Sequence, residues 1–343
     1  MVQGTAESSI SAYLGSPLTL GEPVKSGPLA VYPVFGPDPK QTYISLKEAI
    51  GKGLTVKELP GGGSVRDLVI QNPIRHNVLV FEGEEVLGAQ QNRTFDISVL
   101  VPAGSQLTVP VSCVEAGRWD GSRNAEAFEA SPQAAHPKLR GEKVKHSLRA
   151  RMAGLEARAD QSEVWREVGE RSAMIGSQSR TGSLHDAYET RRTQLNRITS
   201  PIKPTKDQIG MIAVIGGKVT ALDLVSRPDV FADLHPAILQ GYALDAIVAQ
   251  DTTREVTPEE VEAFVATAVE TRILEGDGIG LGRDFRFESP SLIGAGLISG
   301  EELIQLSVFP SIPDDDESER RPRGPVFAQT RIQRPSRRRG GRA

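Results

Sequence analysis

The sequence predicts an α+β fold that consists largely of antiparallel strands, with a three-helix insertion and a disordered C-terminal tail. Short runs of alternating apolar residues, separated by glycine and proline, dominate residues 15–130 and return in residues 205–312. In residues 131–204, apolar side chains instead recur at helical spacing. Residues 313–343 are too poor in apolar side chains to form a core, and residues 1–14 are expected to be a flexible N-terminus.

The β-rich part, residues 15–130, is punctuated by glycine and proline clusters that end one strand before the next begins. A short helix is expected near residues 45–50. The predicted strands cover residues 29–35, 54–59, 65–70, 78–81, 93–101 and 107–115.

The last two of these strands are expected to form a hairpin whose register follows from their apolar residues. Apolar side chains alternate along both strands, and a buried stripe forms when the two sets face each other. This arrangement places Val99 opposite Val109 and Arg93 opposite Glu115. A charged pair would then close the apolar stripe.

The helical insertion, residues 131–204, is expected to contain three helices. Val144, Leu148, Met152 and Leu155 form the apolar stripe of the first helix. Basic residues crowd the same helix, and we expect them to form a solvated face; an alternative is that they bind nucleic acid or a nucleotide phosphate. They are Lys138, Arg140, Lys143, Lys145, Arg149 and Arg151.

The third part, residues 205–312, begins with two predicted strands around Gly216 and Gly217. Two helices follow. The first is expected to break at Pro236, and the second has a capping-box signal that starts at Thr257. Strands are expected again from residue 272 to residue 310.

The charge of the chain is unevenly distributed. The formal net charge is -4, but residues 320–343 contain nine arginines and no acid, so the remainder carries 31 basic and 44 acidic side chains. The tail could therefore bind a polyanion, or fold back on the acidic remainder.

A single cysteine excludes an internal disulfide and a thiolate metal cluster. With neither a signal peptide nor a membrane-spanning apolar run in the sequence, we expect a soluble, cytoplasmic protein.

Polar side chains converge at the end of the predicted hairpin, where amides, guanidinium groups and a carboxylate could hold a phosphate or a ribose. The alternative is that Arg93 and Glu115 form a structural pair and that the remaining groups are solvated. The candidate ligand-binding residues are Gln91, Asn92, Arg93, Glu115, Arg118 and Trp119.

Other motifs give weaker signals. The five histidines are scattered, so a histidine metal site is not expected, whereas Mg²⁺ held by Glu82, Glu84 or Glu85 stays open. The glycine-rich segment 276–282 resembles a phosphate loop, but a strand follows it where a dinucleotide site needs a helix, so we predict a hairpin. Cys113 is expected to be a buried hydrophobic residue.

Three segments, residues 78–119, 160–165 and 294–309, resemble the pattern of an uncharacterised prokaryotic family associated with ADP-ribosylglycohydrolases and rhodanese-like phosphatases. The resemblance covers roughly residues 15–310. It implies a role near ADP-ribose or nucleotide chemistry and supplies no mechanism.

Two functions follow as hypotheses. The first is an accessory protein or enzyme that acts on a nucleotide-derived, ADP-ribose-like ligand. The second is a noncatalytic scaffold that recruits nucleic acid or an acidic partner through the basic helix and the tail. The sequence assigns no catalytic residue and no cofactor, and it leaves the oligomeric state open.

We predict that limited proteolysis removes the chain from about residue 314 onward and leaves the remainder intact. A run of arginine, proline and glycine buries too little apolar surface to offset the cost of ordering the chain. Mass spectrometry of the trimmed product checks the cleavage site. A tail that resists protease as long as the remainder does would show that this prediction is wrong.

Overall fold

The computed structural model describes residues 8–60, 64, 66–88, 90–117, 127–249 and 254–311. Two of the candidate ligand-binding residues, Arg118 and Trp119, lie outside the described residues, as do residues 1–7 and the predicted tail. The described chain is a mixed α+β structure with mostly antiparallel sheets, which confirms the predicted fold class.

The described chain contains a short 3₁₀ helix, Ile10–Tyr13, and six α-helices. The α-helices are α1 Leu46–Gly51, α2 Pro137–Met152, α3 Gln161–Met174, α4 Leu184–Thr199, α5 Pro228–Val248 and α6 Pro258–Glu270. The strands are β1 Thr19–Leu20, β2 Val24–Ser26, β3 Leu29–Phe35, β4 Ile44–Ser45, β5 Thr55–Glu58, β6 Asp67–Asn72, β7 Val78–Val80, β8 Glu84–Leu87, β9 Arg93–Phe95, β10 Val99–Val101, β11 Ser105–Cys113, β12 Glu129–Ala134, β13 Gly210–Ile215, β14 Lys218–Val225, β15 Leu274–Asp277, β16 Arg283–Glu288, β17 Leu292–Ser299 and β18 Glu302–Pro310.

Within the described residues the strands form three sheets. The largest has nine strands in the order β1-β3-β13-β14-β18-β17-β16-β15, with β2 also paired to β3. The second has six strands, β12-β8-β9-β11-β6-β5, and the third has three, β10-β7-β4. All pairs are antiparallel except β4 with β7. The nine-stranded sheet thus joins strands from both ends of the sequence.

The apolar core lies in three places. One face of the nine-stranded sheet packs against α2 and α5, and α3 and α4 complete the same apolar cluster. The opposite face packs against α6 and the 3₁₀ helix. The third cluster fills the space between the two smaller sheets and is covered by α1. Strand β13 is buried along its whole length, as expected for a strand that is covered on both faces.

The predicted hairpin register is wrong. Strand β9 pairs with the end of β11, so that Arg93 lies opposite Cys113 and not Glu115. The chain then leaves this sheet, and Val99 pairs with Val80 of β7. The first half of β11 pairs with β6 instead.

The faces of both strands are nevertheless as predicted, because the register differs from the prediction by an even number of residues. Phe95, Val99, Val109 and Val111 all lie in the same apolar cluster. Alternation fixes which side chains face the core, but it does not identify the strand that pairs with them.

The three helices of the insertion form close to their predicted positions, but the apolar stripe of α2 is only half correct. Val144 and Leu148 are buried, whereas Met152 and Leu155 are 72% and 68% exposed. Helix α2 ends at Met152, so its last turn extends past the core.

The predicted break at Pro236 is also wrong, because α5 continues through it. Pro236 and Ala232, the residue four positions earlier, are both exposed. Water can therefore hydrogen-bond the carbonyl that the proline leaves without a partner, and the buried side of the helix holds it in place. The predicted capping box at Thr257 is confirmed, and so is the antiparallel hairpin around the glycine-rich segment.

We predict that Gly296→Ala destabilises the protein by about 1–3 kcal/mol, because the added methyl group would overlap the Gln305 carbonyl oxygen and the Phe285 ring. Gly169→Ala in α3 is the matched control. Nothing lies near the added methyl group there, so alanine should stabilise the helix by up to about 1 kcal/mol. Urea denaturation measures the free energy of unfolding of both variants. Equal changes in the two variants would contradict the prediction.

Candidate functional site

The structure brings together four of the predicted ligand-binding residues, Gln91, Asn92, Arg93 and Glu115, which we call the strand-end cluster. All four are at most 6% exposed. The Gln91 side-chain amide donates to the Glu115 backbone oxygen at 2.7 Å, and the Asn92 backbone N–H donates to Glu115 Oε2 at 3.2 Å. These bonds position the Glu115 carboxylate at the end of β11.

Arg93 is fully buried, and its side chain points toward β5. Its Nη1 donates to Gln91 Oε1 at 3.2 Å, and its Nη2 lies 3.6 Å from Glu58 Oε1. Burial raises the pKa of Glu58, while the charge of Arg93 lowers it. Arg93 thus has an acidic partner across the sheet that the hairpin prediction did not include.

The loop before α4 completes the surroundings of Glu115. Thr181 Oγ1 donates to Glu115 Oε1 at 2.7 Å, and Asn92 Nδ2 donates to Ser183 Oγ at 3.4 Å. Ser183 is the N-cap residue of α4 and makes no side-chain capping bond to the helix. The Glu115 carboxylate therefore lies beside the N-terminus of a 16-residue helix, where the helix dipole favours negative charge.

A second buried carboxyl group, Glu85, lies near the strand-end cluster. Burial raises the pKa of Glu85 to about 8, and the negative charges of Glu115 and Asp186 add to that effect. The Ser131 hydroxyl donates to Glu85 Oε2 at 2.8 Å, and hydrogen bonds from Ser131 and Gln133 partly offset the effect of burial on the pKa. Burial therefore favours the protonated form of Glu85, which lies close enough to Glu115 to be affected by its charge.

The sequence did not single out the largest charged group, which we call the α2 network. Arg140 on α2 is fully buried, and its two terminal nitrogens each donate to Asp223 at 2.7 Å. Its Nε donates to Glu82 Oε2 at 3.0 Å. Burial opposes the charge on Arg140, but Asp223 and Glu82 outweigh this and raise the pKa of the guanidinium. Tyr242 of α5 donates to Asp223 at 2.6 Å.

Three further pairs extend the α2 network. Lys143 Nζ lies 3.3 Å from Asp96 Oδ1 and donates to the Phe95 carbonyl. Asp284 pairs with both Arg151 and Arg286. The network consists of Glu82, Asp96, Arg140, Lys143, Arg151, Asp223, Asp284 and Arg286.

The prediction of a solvated basic face on α2 is therefore wrong for Arg140, Lys143 and Lys145, which are at most 5% exposed. A signal for this was present in the sequence. Asp223 stands inside the otherwise apolar segment 221–225, and an acid in that position needs a buried cation. Arg140 and Lys143 also lie within a helical turn of the apolar residue Val144.

Another buried ion-pair group lies where α2, α3 and α5 meet. His136 Nδ1 is 2.9 Å from Asp245 Oδ1, and its Nε2 is 3.9 Å from Glu167 Oε1. Burial opposes ionisation of Asp245, yet His136 and Arg171 lower its pKa. Lys138 covers the group from the solvent side with its Nζ at 2.7 Å from Glu167.

In the part of the chain that the structure describes, no group of three or more histidine, cysteine, aspartate or glutamate side chains is arranged to hold a metal ion. Cys113 is buried as predicted, and burial raises the pKa of its thiol. No helix among the described residues combines the length and the apolar character needed to cross a membrane.

The comparisons with known proteins give one match. The model of a domain family described as ARG and Rhodanese-Phosphatase-superfamily-associated Protein, ARPP-1, matches residues 17–309. The strand-end cluster and the α2 network both lie within that span. None of the curated proteins and none of the solved structures compared with the chain matches it at a significant level.

We predict that Glu85→Gln changes how stability depends on pH. The folded-state pKa of Glu85, about 8, lies above its ordinary value of 4.5, so the folded protein holds an extra proton in that window. The free energy of unfolding of the parent therefore falls as the pH rises from 4.5 to 8. Between pH 5 and pH 8 the Gln variant should gain about 2–4 kcal/mol relative to the parent.

Urea denaturation at both pH values measures this difference, with Glu301→Gln in an exposed turn as the control. A difference between Glu85→Gln and the parent that stays constant from pH 5 to pH 8 would mean that Glu85 is ionised in the folded protein.

Proposed function

Because the chain belongs to the ARG and Rhodanese-Phosphatase-superfamily-associated Protein domain family, we propose that it acts on an ADP-ribose-like, nucleotide-derived ligand, as an accessory protein or as an enzyme. The family name links it to ADP-ribosylglycohydrolases. The single buried cysteine fits the reducing cytoplasm, in which we propose that the protein works.

The observation that carries the proposal is the position of the Glu115 carboxylate at the N-terminus of α4. An acidic side chain beside a helix N-terminus is a combination that nucleotide sites use, because the carboxylate accepts hydrogen bonds from ribose hydroxyls while the helix N–H groups face phosphate oxygens. Thr181, which donates to Glu115, is partly exposed and followed by the exposed Gly182. We propose that a ligand reaches Glu115, which is itself only 1% exposed, from that side.

The remaining strand-end residues have supporting roles in this proposal. Gln91 and Asn92 hold Glu115 in place, and Arg93 contributes positive charge behind it. We propose that Arg118 and Trp119, which follow Glu115 closely in the sequence, supply a guanidinium group for phosphate and an aromatic face for the base.

If the protein is an enzyme, Glu85 is the residue that we propose as its general acid. A carboxyl group with a pKa of about 8 carries a proton at neutral pH and can deliver it to a leaving group. Glu115 would then be the second carboxyl group beside it.

The second candidate function, a noncatalytic scaffold, is favoured by one specific observation: the strand-end residues are buried and hydrogen-bond to one another. The nucleic-acid route through the basic helix loses support, since Arg140 and Lys143 are committed to buried acids. A scaffold would instead recruit nucleic acid or an acidic partner through the arginine-rich residues 320–343.

Isothermal titration calorimetry with ADP-ribose, AMP and ribose 5-phosphate tests the ligand proposal. We expect the parent to bind ADP-ribose, and Glu115→Gln and Thr181→Val to weaken binding about 10- to 100-fold, since each loses a hydrogen bond that involves a charged group. Thr267→Val, at an exposed site on α6, is the matched control and should bind like the parent.

If the folded parent does not bind ADP-ribose, the ligand proposal is contradicted, and the noncatalytic scaffold is the candidate function that stays. Glu85→Gln separates the two forms of the proposal. In an enzyme this variant should retain binding and lose turnover of an ADP-ribosylated substrate, whereas in an accessory protein the parent itself should show no turnover.

A further inference from the structure

A small cavity lies beside the α2 network, where the turn before β8 meets β16, β17 and β18. The volume open to the centre of a water molecule is about 10 Å³, so the cavity has room for one water molecule. The polar residues that line it are Glu82, Ser98, Asp284, Arg286, Gln305 and Ser307. A cavity this small and this polar suits a guest of one heavy atom.

Three of the lining residues each have a buried polar atom without a hydrogen-bond partner among the described residues, namely Glu82 Oε1, Asp284 Oδ1 and Arg286 Nε. Asp284 Oδ1 forms an ion pair with Arg151 Nη2, so the atoms that still need a partner are Glu82 Oε1 and Arg286 Nε. Both residues are only 2% exposed. Lys143 Nζ lies 4.0 Å from Glu82 Oε1, which is beyond hydrogen-bond distance. One atom is an acceptor and the other is a donor, and leaving both unpaired in the interior would be unfavourable.

The charges of the α2 network balance. The network contains four acidic and four basic side chains, of which Glu82, Asp284 and Arg286 line the cavity, so a bound ion would add an unbalanced charge to a region of low dielectric constant. A neutral guest that both donates and accepts hydrogen bonds satisfies the two free atoms and leaves the balance unchanged.

We propose that this cavity binds one water molecule, which accepts a hydrogen bond from Arg286 Nε and donates one to Glu82 Oε1. Through this water, Glu82, which pairs with Arg140 of α2, is linked to Arg286 on β16, the strand that pairs with β17. It is a permanent part of the core and is independent of the proposed ligand site at Glu115.

Crystals of the parent grown with sodium bromide test the occupant. We expect one density peak within hydrogen-bond distance of both Glu82 Oε1 and Arg286 Nε, without an anomalous bromine signal. An anomalous peak at that position would show that the cavity holds an anion instead of water, and this result would overturn the proposal. A direct contact between Glu82 and Arg286, or a cavity without density, would overturn it as well.

A pair of variants tests the site in solution. Ala295 lines the cavity and Ala213 does not, although both lie on the same face of the nine-stranded sheet. Ala295→Val should displace the water, and oxygen-17 relaxation dispersion should then count one long-lived water fewer than in the parent. Ala213→Val should keep the parent's count. Equal counts in folded Ala295→Val and parent would contradict the proposal, and the crystal of the parent decides it if Ala295→Val does not fold.

Discussion

The bidentate ion pair between Arg140 and Asp223 is the interaction on which the rest of the structure depends. A guanidinium and a carboxylate that are both fully buried are tolerated only when each is almost completely hydrogen-bonded. Meeting that requirement determines the positions of Glu82 in the turn before β8, Ser307 on β18 and Tyr242 on α5. One side chain therefore fixes the helical insertion both to the large sheet and to the turn between β7 and β8.

Local patterns in the sequence predicted the elements and their faces well, and the long-range pairing poorly. The capping box at Thr257 and strand β3 were predictable because each depends on neighbouring residues. The strand that pairs with Val99 was not predictable, because a strand of alternating apolar residues can pair with any strand whose apolar residues face the same side of the sheet. The buried state of Arg140 was missed for a related reason: helical periodicity treats every charge as exposed, and the acid that pairs with it stands far away in the sequence.

The candidate site was predictable as a location and not as a set of contacts. Gln91, Asn92, Arg93 and Glu115 do lie together, because β9 and β11 end at the same edge of their sheet. Thr181 and Ser183 were missed, since they come from a helix N-terminus that only the tertiary fold brings near Glu115. In the sequence Glu85 is a candidate Mg²⁺ ligand together with Glu82 and Glu84, whereas its raised pKa follows from the burial that only the fold creates. These neighbours give the candidate site a carboxylate at a helix N-terminus and a second carboxyl group whose pKa is raised by burial.

The pairing of β3 with β13 has a consequence for how the chain folds as it is synthesised. Leu29 pairs with Ile215, more than half of the chain away. Until the ribosome has released residue 215, one edge of β3 has no partner, and the α2 network also lacks Asp223 and Asp284. The early β-rich segments must therefore stay unaggregated until late in translation, and a truncated product that ends in the helical insertion would expose an unpaired apolar strand.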